Sequence, residues 1–424
     1  MSNERKSSKI YVYIEVDCYM FNIILKIISI FFTVYGLYYG VTALFAFMKP
    51  KKEKMLSDKK NKFGIIIAAR NEENVIGNLI DSLKKQNYDE DKYEINVIVN
   101  NSTDDTFKVA KKHGANTIKC EVPVKSKGEV LHYVFHKFEK KDYDAYIIFD
   151  ADNVVHPDFL HYMNESLNQG FKVAQGFRDS KNYQDNWISG SYTLFYYMQN
   201  FFFNLSRKKI NSSASINGTG FMVQKDFIEK LDFNPDTLTE DVELTTVCAV
   251  RNEKIDFVNK AITYDEQPTN FKISLVQRLR WSKGNLQVWK KYHKDLVKGF
   301  IKNHNLACID MYLNNLAAFI QVISIIVVAI GIIEKMVTTK VVFTLTGVLA
   351  MLVSYLGTFI VTLFVTIYNK KSVTGMFSSL LLFTLFIATW FPINIVSLIK
   401  KDVKWQHISH NKNVNIDDLI KSSD

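Results

Sequence analysis

The chain has 424 residues, of which 47% are hydrophobic and 13% aromatic, and its formal net charge is +10 at pH 7. That apolar content excludes an intrinsically disordered protein and is enough for a large folded domain together with membrane helices. Its four cysteines are scattered without a Cys-x-x-Cys pair, which argues against a zinc site or a disulfide framework and fits a reducing compartment. The basic charge does not predict nucleic-acid binding, because no DNA- or RNA-binding signature accompanies it, and a face beside anionic lipid accounts for it.

Four apolar runs are long enough to cross a bilayer, which takes about 20 residues. One precedes the charged part of the chain, and three follow it at 311–333, 341–368 and 376–399. The chain is therefore predicted to contain an N-terminal tail at 1–19, a membrane helix at 20–48, a globular domain at 55–270, amphipathic interface helices at 271–305, three membrane helices at 306–400 and a C-terminal tail at 401–424.

The basic residues leave the topology open. Lysine and arginine in short flanking segments favour the cytoplasmic side, so the lysine-rich globular domain is predicted to be cytoplasmic in a multi-pass protein of the cell membrane. One leading and three trailing spans then place both termini outside. Basic residues nevertheless lie at both ends of the chain, at Arg5, Lys6, Lys9, Lys400, Lys401 and Lys404. Either the rule is broken twice, or one apolar run is an interfacial helix rather than a span.

The globular part alternates between short apolar strands and amphipathic helices. Strands are predicted at 64–69, 94–99, 117–120 and 145–149. Helices are predicted to begin at Asn71, acting as an N-cap, at 103–105, at 128 and at Pro157. This alternation predicts an α/β fold with a mostly parallel sheet covered by helices.

Polar clusters follow three of the predicted strands, where ligands bind in such sheets. The clusters are Arg70-Asn71-Glu72, the stretch from Asn100 to Asp105 that includes Asp104, and Asp150-Ala151-Asp152. No glycine-rich phosphate loop is present, so we expect carboxylates to hold a pyrophosphate through Mg²⁺ or Mn²⁺. Asp150 and Asp152 leave the strand with their side chains on one face. An isolated Asp-x-Asp is more often a solvated turn, but the position after a buried strand favours a cation site.

Three further motifs lie nearer the membrane runs. Gly218, Thr219 and Gly220 form a turn that is either an ordinary loop or a place where backbone approaches a ligand. Glu240 and Asp241 are either a charge pair at a helix start or contain a general base. The segment from Gln277 to Trp281 reads as an interfacial amphipathic helix, a role that is compatible with ligand binding.

The ordered set Ala68-Ala69-Arg70-Asn71-Glu72, Asn101-Ser102-Thr103-Asp104, Asp150-Ala151-Asp152, Thr239-Glu240-Asp241 and Gln277-x-x-Arg280-Trp281 resembles the family 2 glycosyltransferases. The resemblance is to the membrane-integrated processive branch, which includes cellulose, hyaluronan and poly-N-acetylglucosamine synthases, and it covers roughly residues 60–290. It implies a GT-A fold, a UDP-sugar donor, an inverting reaction that gives a β-linkage, and dependence on Mg²⁺ or Mn²⁺.

Carried over position by position, the resemblance implies that Asp241 is the catalytic base with Glu240 beside it, and that Asp152 ligates the metal. It places donor binding at Arg70, Asn71, Glu72, Asn100, Asp104, Lys127, Asp150, Gln277 and Arg280, and acceptor binding at Gly218, Thr219, Gly220 and Trp281. Asn100 stands where the family usually has an aspartate that helps read uracil, which leaves the base specificity open.

The implied product is a growing β-linked polysaccharide exported across the membrane, with membrane lipid and an accessory export subunit as possible partners. The nearest alternative is a non-processive transferase that makes a glycolipid, as ceramide glucosyltransferases do; dolichol-phosphate-sugar synthases usually lack the Gln-x-x-Arg-Trp element. A non-catalytic scaffold is disfavoured because the acidic motif residues are present, and a transporter because the spans carry little charge. Polar residues at the start of the second span are expected to line an export channel: Asp310, Tyr312, Asn314, Asn315 and Gln321.

Overall fold

The structure is a computed structural model that describes residues 2–49, 54–339, 345–403 and 408–421. Its strands are β1 (Phe63–Ala69), β2 (Tyr93–Val99), β3 (Asn116–Lys119), β4 (Ala145–Asp150), β5 (Val154–Val155), β6 (Val173–Ser180), β7 (Phe221–Gln224) and β8 (Ile255–Asp265). The helices of the globular part are α2 (Ile76–Lys84), α3 (Thr106–Lys112), α4 (Lys127–Lys137), α5 (Phe159–Asn168), α6 (Trp187–Met198), α7 (Ser206–Lys209), α8 (Lys225–Leu231) and α9 (Glu240–Val250). A π-helical stretch, Gln199–Leu205, links α6 to α7.

The remaining helices are α1 (Ser2–Leu44), which precedes the globular part, and α10 (Phe271–Asn303), α11 (Leu306–Asn315), α12 (Ala317–Thr339), α13 (Leu345–Tyr368), α14 (Phe377–Ala388), α15 (Trp390–Ile399) and α16 (Ile416–Lys421). Within the described ranges, four stretches are long and apolar enough to span a membrane: Ile23–Phe47, Ala317–Glu334, Gly347–Tyr368 and Phe377–Ile399.

The strands form one eight-stranded sheet in the order β3-β2-β1-β4-β7-β6-β8-β5. Strands β3, β2, β1 and β4 are parallel, whereas β7 runs antiparallel to both of its neighbours. Alternate residues of β1 pack into separate cores on the two faces, with Ile65 and Ile67 on one side and Ile66 on the other. Because the parallel strands end together, their polar carboxyl-terminal loops meet at one edge, and the predicted α/β fold with a mostly parallel sheet is confirmed.

The predicted N-cap role of Asn71 is wrong. Helix α2 begins at Ile76, and its N-cap is Val75. Asn71 has a left-handed backbone with φ 57°, and its side-chain oxygen accepts a hydrogen bond from the Thr103 amide at 2.8 Å. The Asn71 side chain, which was expected to cap a helix, therefore links the loops that follow β1 and β2.

The helices outside the globular part differ from the predicted regions at several places. Helix α1 begins at Ser2, so residues 2–19, predicted as a tail, are helical. The second apolar run starts inside α11, which precedes the candidate span in α12. The fourth run is divided at Thr389 into α14 and α15, because Pro392 has no N–H to donate to the carbonyl of Ala388.

Helices α14 and α15 both contact the long helix α10. The Arg278 guanidinium on α10 donates to the carbonyl of Phe386 in α14 at 3.1 Å. Further along, the Ser282 hydroxyl donates to Asn394 in α15 at 2.7 Å. These contacts hold the fourth apolar run against the long helix α10.

A buried ion pair ties α1 and α11 to the globular part. Arg207 on α7 and Asp310 on α11 lie 2.8 Å apart, and their side chains are 1% and 2% exposed. The Tyr38 hydroxyl of α1 also donates to Asp310 at 3.0 Å. Asn315 and Gln321 likewise bond other side chains of the chain. Asp310, Asn315 and Gln321 therefore hold helices together, in contrast to the channel-lining role expected from the sequence.

We expect Asp310→Ala to destabilise the protein by about 3–5 kcal/mol, because it leaves the Arg207 guanidinium buried without its counter-charge. Thermal unfolding of the purified protein in detergent measures the effect. The double variant Arg207→Met, Asp310→Leu is the control, and we expect it to recover most of the loss, since no unpaired charge remains. A double variant as unstable as the single one would contradict this account.

Candidate active site

Lys127, the first residue of α4, lies where three sequence motifs meet. Its ammonium donates to the Asp150 carboxylate at the end of β4 and to the Gly218 carbonyl, the latter at 2.7 Å, and lies 4.0 Å from the Glu240 carboxylate. Burial alone would lower the pKa of Lys127, but Asp150 and Glu240 raise it above its ordinary value. The Asp150 amide donates to the Thr219 hydroxyl at 2.9 Å, so the strand end, the glycine turn and the start of α9 form one site.

Two buried carboxylates, Asp152 and Asp265, lie near Asp150, and their surroundings shift their pKa values in opposite directions. Asp152 is 4% exposed, and burial together with the charge of Asp265 raises its pKa well above the ordinary value. Burial would do the same to Asp265, but the Arg178 guanidinium on β6, whose Nε lies 2.8 Å away, lowers the pKa of that carboxyl. Arg178 thus favours the charged form of Asp265, whereas burial and neighbouring carboxylates oppose the charged form of Asp152.

His410 reaches this carboxylate pair from the C-terminal segment, residues 408–421. Its Nδ1 lies 3.0 Å from the Glu72 carboxylate and its Nε2 lies 3.9 Å from Asp152. Burial alone would lower its pKa, but Asp152 and Glu72 raise the pKa of His410 to about 10. The segment is fixed by two backbone N–H groups, of Asn411 and Lys412, which donate to the Glu266 carboxylate at 3.0 Å.

The donor set around Asp152 fits a divalent cation. Burial raises the pKa of Asp152, and Asp265 and Asp150 are close enough to raise it further electrostatically. Carboxylate oxygens are ligands that suit both Mg²⁺ and Mn²⁺. A cation at Asp152 would also lie beside Asp150, the residue next to the Lys127 ammonium.

Asp241 lies in the first turn of α9 and faces the glycine turn. Gly218 has φ 92°, and a Cβ at that position would lie 3.4 Å from the Asp241 carboxylate, so a side chain there would be strained and would crowd the carboxylate. Burial raises the pKa of Asp241, while the nearby Lys127 and Arg280 cations act to lower it. A raised pKa makes a carboxylate better suited to accept a proton from a hydroxyl group.

Helix α10 holds the segment that precedes Asp241. The Arg280 guanidinium donates to the Leu238 carbonyl at 3.1 Å, and the Leu238 amide donates to Gln287 at 3.0 Å. Gly284 allows this approach, because a Cβ there would lie 2.4 Å from the Thr239 hydroxyl oxygen. The basic helix therefore holds the segment from Leu238 to Asp241 and places Arg280 beside it.

Trp281 lies in an aromatic cluster between the site and the helices of the fourth apolar run. Its ring stacks with Trp390 of α15 at a centroid distance of 6.4 Å and meets Tyr196 of α6 edge-on. The Arg178 guanidinium lies 4.1 Å from the Tyr196 ring centre. Among the described residues, the buried side-chain oxygen of Gln277 has no hydrogen-bond partner.

Comparison with known proteins agrees with this geometry. A family model described as "Glycosyltransferase like family 2" matches residues 61–284. The chain belongs to this family. One curated relative is a probable glycosyltransferase, YdaM, of Bacillus subtilis, which is 29% identical over 54% of this chain and 57% of its own length. Another is a beta-monoglucosyldiacylglycerol synthase of a Nostoc species, which is 25% identical over 61% of this chain and 57% of its own length. A poly-beta-1,6-N-acetyl-D-glucosamine synthase of Staphylococcus aureus is 21% identical over 70% of each chain.

The matches to the first two relatives cover 57% of their lengths. Among solved structures, the mannosyltransferase PcManGT of Pyrobaculum calidifontis, determined with GDP-Man and Mn²⁺, is similar with a TM-score of 0.58 and 15% identity, over 89% of this chain and 100% of that one. At that identity the likeness concerns the fold alone. The family resemblance and the GT-A-type fold inferred from the sequence are confirmed.

Two residues expected to bind the donor, Asn71 and Asp104, form hydrogen bonds with other residues of the chain. The Asn71 amide donates to the Ser102 hydroxyl at 3.0 Å, in addition to the bond with Thr103. The Asp104 carboxylate accepts from the Thr106 hydroxyl at 2.6 Å and from the Glu73 amide at 3.1 Å. Asn71 and Asp104 therefore join the loops after β1 and β2, while Arg70 and Asn100 lie half-buried at the ends of those strands.

Three residues of the site were missed from the sequence: Arg178, Asp265 and His410. Asp265 ends an apolar strand as Asp150 does, so the same pattern of strand followed by acid could have found it. Arg178 lies within β6, a buried strand whose polar residues interrupt the apolar pattern expected of a strand. His410 lies in a polar segment with no periodicity, and nothing in the sequence connects it to Glu72, 338 residues away.

Proposed function

We propose that this family 2 glycosyltransferase transfers a hexose or an N-acetylhexosamine from a UDP-sugar to a growing β-linked polysaccharide, with Mg²⁺ or Mn²⁺ as cofactor and with export of the product. The convergence of Asp150, Asp241 and Lys127 at the sheet edge carries the proposal. The lysine-rich catalytic domain is proposed to face the cytoplasm, with the polymer, membrane lipid and an accessory export subunit as partners.

Asp241 removes the proton from the acceptor hydroxyl, and the oxygen attacks the anomeric carbon on the face opposite the diphosphate. The bond to the diphosphate breaks and its electrons leave with UDP, so the sugar is transferred with inversion. Arg280 and Lys127 place positive charge beside the leaving group, where electrostatic stabilisation counts most. A divalent cation held by Asp150 and Asp152 would supply Lewis-acid stabilisation of the same charge.

The nucleotide base is the least determined part of the donor. Asn100, at the end of β2, offers an amide that can donate or accept on the edge of a base, which supports uracil without excluding guanine. PcManGT was determined with GDP-Man, so a guanine nucleotide belongs in any test of donor specificity.

Glycolipid synthesis is the second candidate, and the membrane helices favour it. Only 6%, 11% and 11% of the residues in the apolar windows of α1, α12 and α13 are buried. Helices that expose their sides in this way do not enclose a path for a polymer within one chain, so export would need further subunits. A glycolipid product needs no such path, and a Nostoc relative is a beta-monoglucosyldiacylglycerol synthase.

Incubation of the purified protein with UDP-glucose, UDP-N-acetylglucosamine, UDP-galactose or GDP-mannose and Mn²⁺, with and without diacylglycerol, tests both candidates. We expect nucleotide release from one UDP-sugar at least about tenfold faster than from the others, a ratio that differences in transition-state binding readily supply. A mass series spaced by one sugar indicates a polymer, and a single lipid-dependent species indicates a glycolipid. Nucleotide release from none of the donors would contradict the proposed function.

A further inference from the structure

A second group of metal-ligating side chains lies on helix α4, on residues that the proposed reaction does not use. His132 and His136 are four residues apart on α4, and Asp232 lies at the end of α8. One ligand atom from each of the three lies within 4.8 Å of the others. Imidazole nitrogen is a ligand for Zn²⁺ and similar transition metals, whereas the catalytic carboxylates suit harder cations.

The two histidines present their rings to the same point. Residues four apart lie on one face of a helix, and the ring centres are 4.5 Å apart. His132 Nδ1 lies 3.0 Å from the Phe233 carbonyl oxygen. Because a carbonyl can only accept, Nδ1 carries the proton and Nε2 keeps its lone pair. Histidine ligands of metals are oriented by such a bond on the other ring nitrogen.

Asp232 is fixed on the opposite side of this point. It has a left-handed backbone with φ 48°, and its amide donates to the Glu229 carbonyl at 3.1 Å as α8 ends. Its carboxylate lies 3.3 Å from His136 Nε2. In a tetrahedral zinc site with bonds of about 2.0 Å the ligand atoms are about 3.3 Å apart, a spacing that side-chain rotations reach from this arrangement. The side chains of His136 and Asp232 are 60% and 73% exposed, so a metal ion can enter and water can complete the coordination.

We propose that His132, His136 and Asp232 form a zinc-type transition-metal site that is separate from the catalytic carboxylates. The site would join α4 to the segment that runs from Asp232 to the catalytic Asp241. That segment already packs on α4, because a Cβ on Gly128 would lie 2.6 Å from the Pro235 ring. A bound metal would therefore brace the two elements that carry Lys127 and Asp241.

Equilibrium dialysis of the full-length protein in detergent against Zn²⁺, with excess Mg²⁺ present, tests the site. We expect His136→Gln and Asp232→Asn each to weaken the binding of one Zn²⁺ at least about tenfold, since even outer partners of metal ligands contribute about 10–100-fold. Asparagine tolerates the left-handed backbone, so Asp232→Asn keeps the fold. Bound Co²⁺ should give the visible absorption of a tetrahedral site in the parent and lose it in both variants.

His161→Gln is the matched control, because His161 is an exposed histidine paired with Glu165 four residues away at 3.4 Å. We expect its zinc affinity to equal that of the parent. Zinc binding retained in full by His136→Gln and Asp232→Asn would place any bound zinc at the catalytic carboxylates and overturn the proposal. Absence of Mg²⁺-resistant zinc binding by the parent protein would overturn it as well. Neither result bears on whether the protein transfers sugar.

Discussion

The Asp241→Asn variant is expected to lower kcat by about 10²–10⁴-fold, the range that a general base contributes. Asparagine has nearly the same shape as aspartate but cannot accept the acceptor's proton. The contact with Gly218 and the packing of α9 should survive, so the affinity for the nucleotide sugar should change little. Steady-state kinetics of UDP release, together with isothermal titration of UDP, separate the two effects.

Asp236→Asn is the matched control for this substitution. Asp236 lies in the same segment, five residues earlier, and its side chain is 73% exposed and pairs with Lys291 at 2.6 Å. It makes the same change of charge without touching the site, so its kcat should remain near that of the parent. Turnover by Asp241→Asn equal to that of the parent would remove Asp241 from its role as base.

Removal of divalent metal is expected to abolish transfer, and Mn²⁺ or Mg²⁺ is expected to restore it. The Asp152→Asn variant should need at least about tenfold more Mn²⁺ for half-maximal activity, because it loses a charged ligand. The asparagine oxygen can still accept the hydrogen bond that the Glu266 amide donates to Asp152 at 3.2 Å. A Mn²⁺ titration of the rate, with unfolding monitored in parallel, distinguishes loss of the cation from loss of the fold.

Asp142→Asn serves as the control for the metal titration, since that carboxylate is fully exposed before β4 and pairs with Lys62 at 3.9 Å. Its Mn²⁺ requirement should match that of the parent. Full activity of the parent after exhaustive chelation would contradict the proposed role of Asp152 and of the cation.

The first half of the domain was predictable from its sequence because β1, β2 and β4 are apolar runs bounded by polar loops. Strand β6 was missed since it carries Gln175 and Arg178 in its interior. Both side chains are buried and bond polar groups of other elements, such as the Asn217 amide and the Asp265 carboxylate. A strand whose inward residues are polar has no hydrophobic period to detect.

The motifs predicted which side chains would meet, but not how some of them are used. Asp150, Lys127 and Glu240 lie together, as the family resemblance implied for residues near the donor. The positions of Asn71 and His410 depend on single polar contacts over long separations in the chain. Such contacts join positions that are far apart in the chain, so local patterns in the sequence do not reveal them.

The fourth apolar run is tied to the rest of the chain at both of its ends. Just before α14, Lys371 lies 3.0 Å from Asp179 of β6. Just after α15, the Lys400 carbonyl accepts from Lys283 of α10 at 2.6 Å. Between these points, Phe386 and Asn394 also accept hydrogen bonds from α10.

The fourth apolar run therefore differs from the other three. In its apolar window 28% of the residues are buried within the chain, against 6%, 11% and 11% in α1, α12 and α13. Part of its apolar surface supports α10, so a change in the packing of α14 or α15 would be passed to Arg280, which lies on that helix.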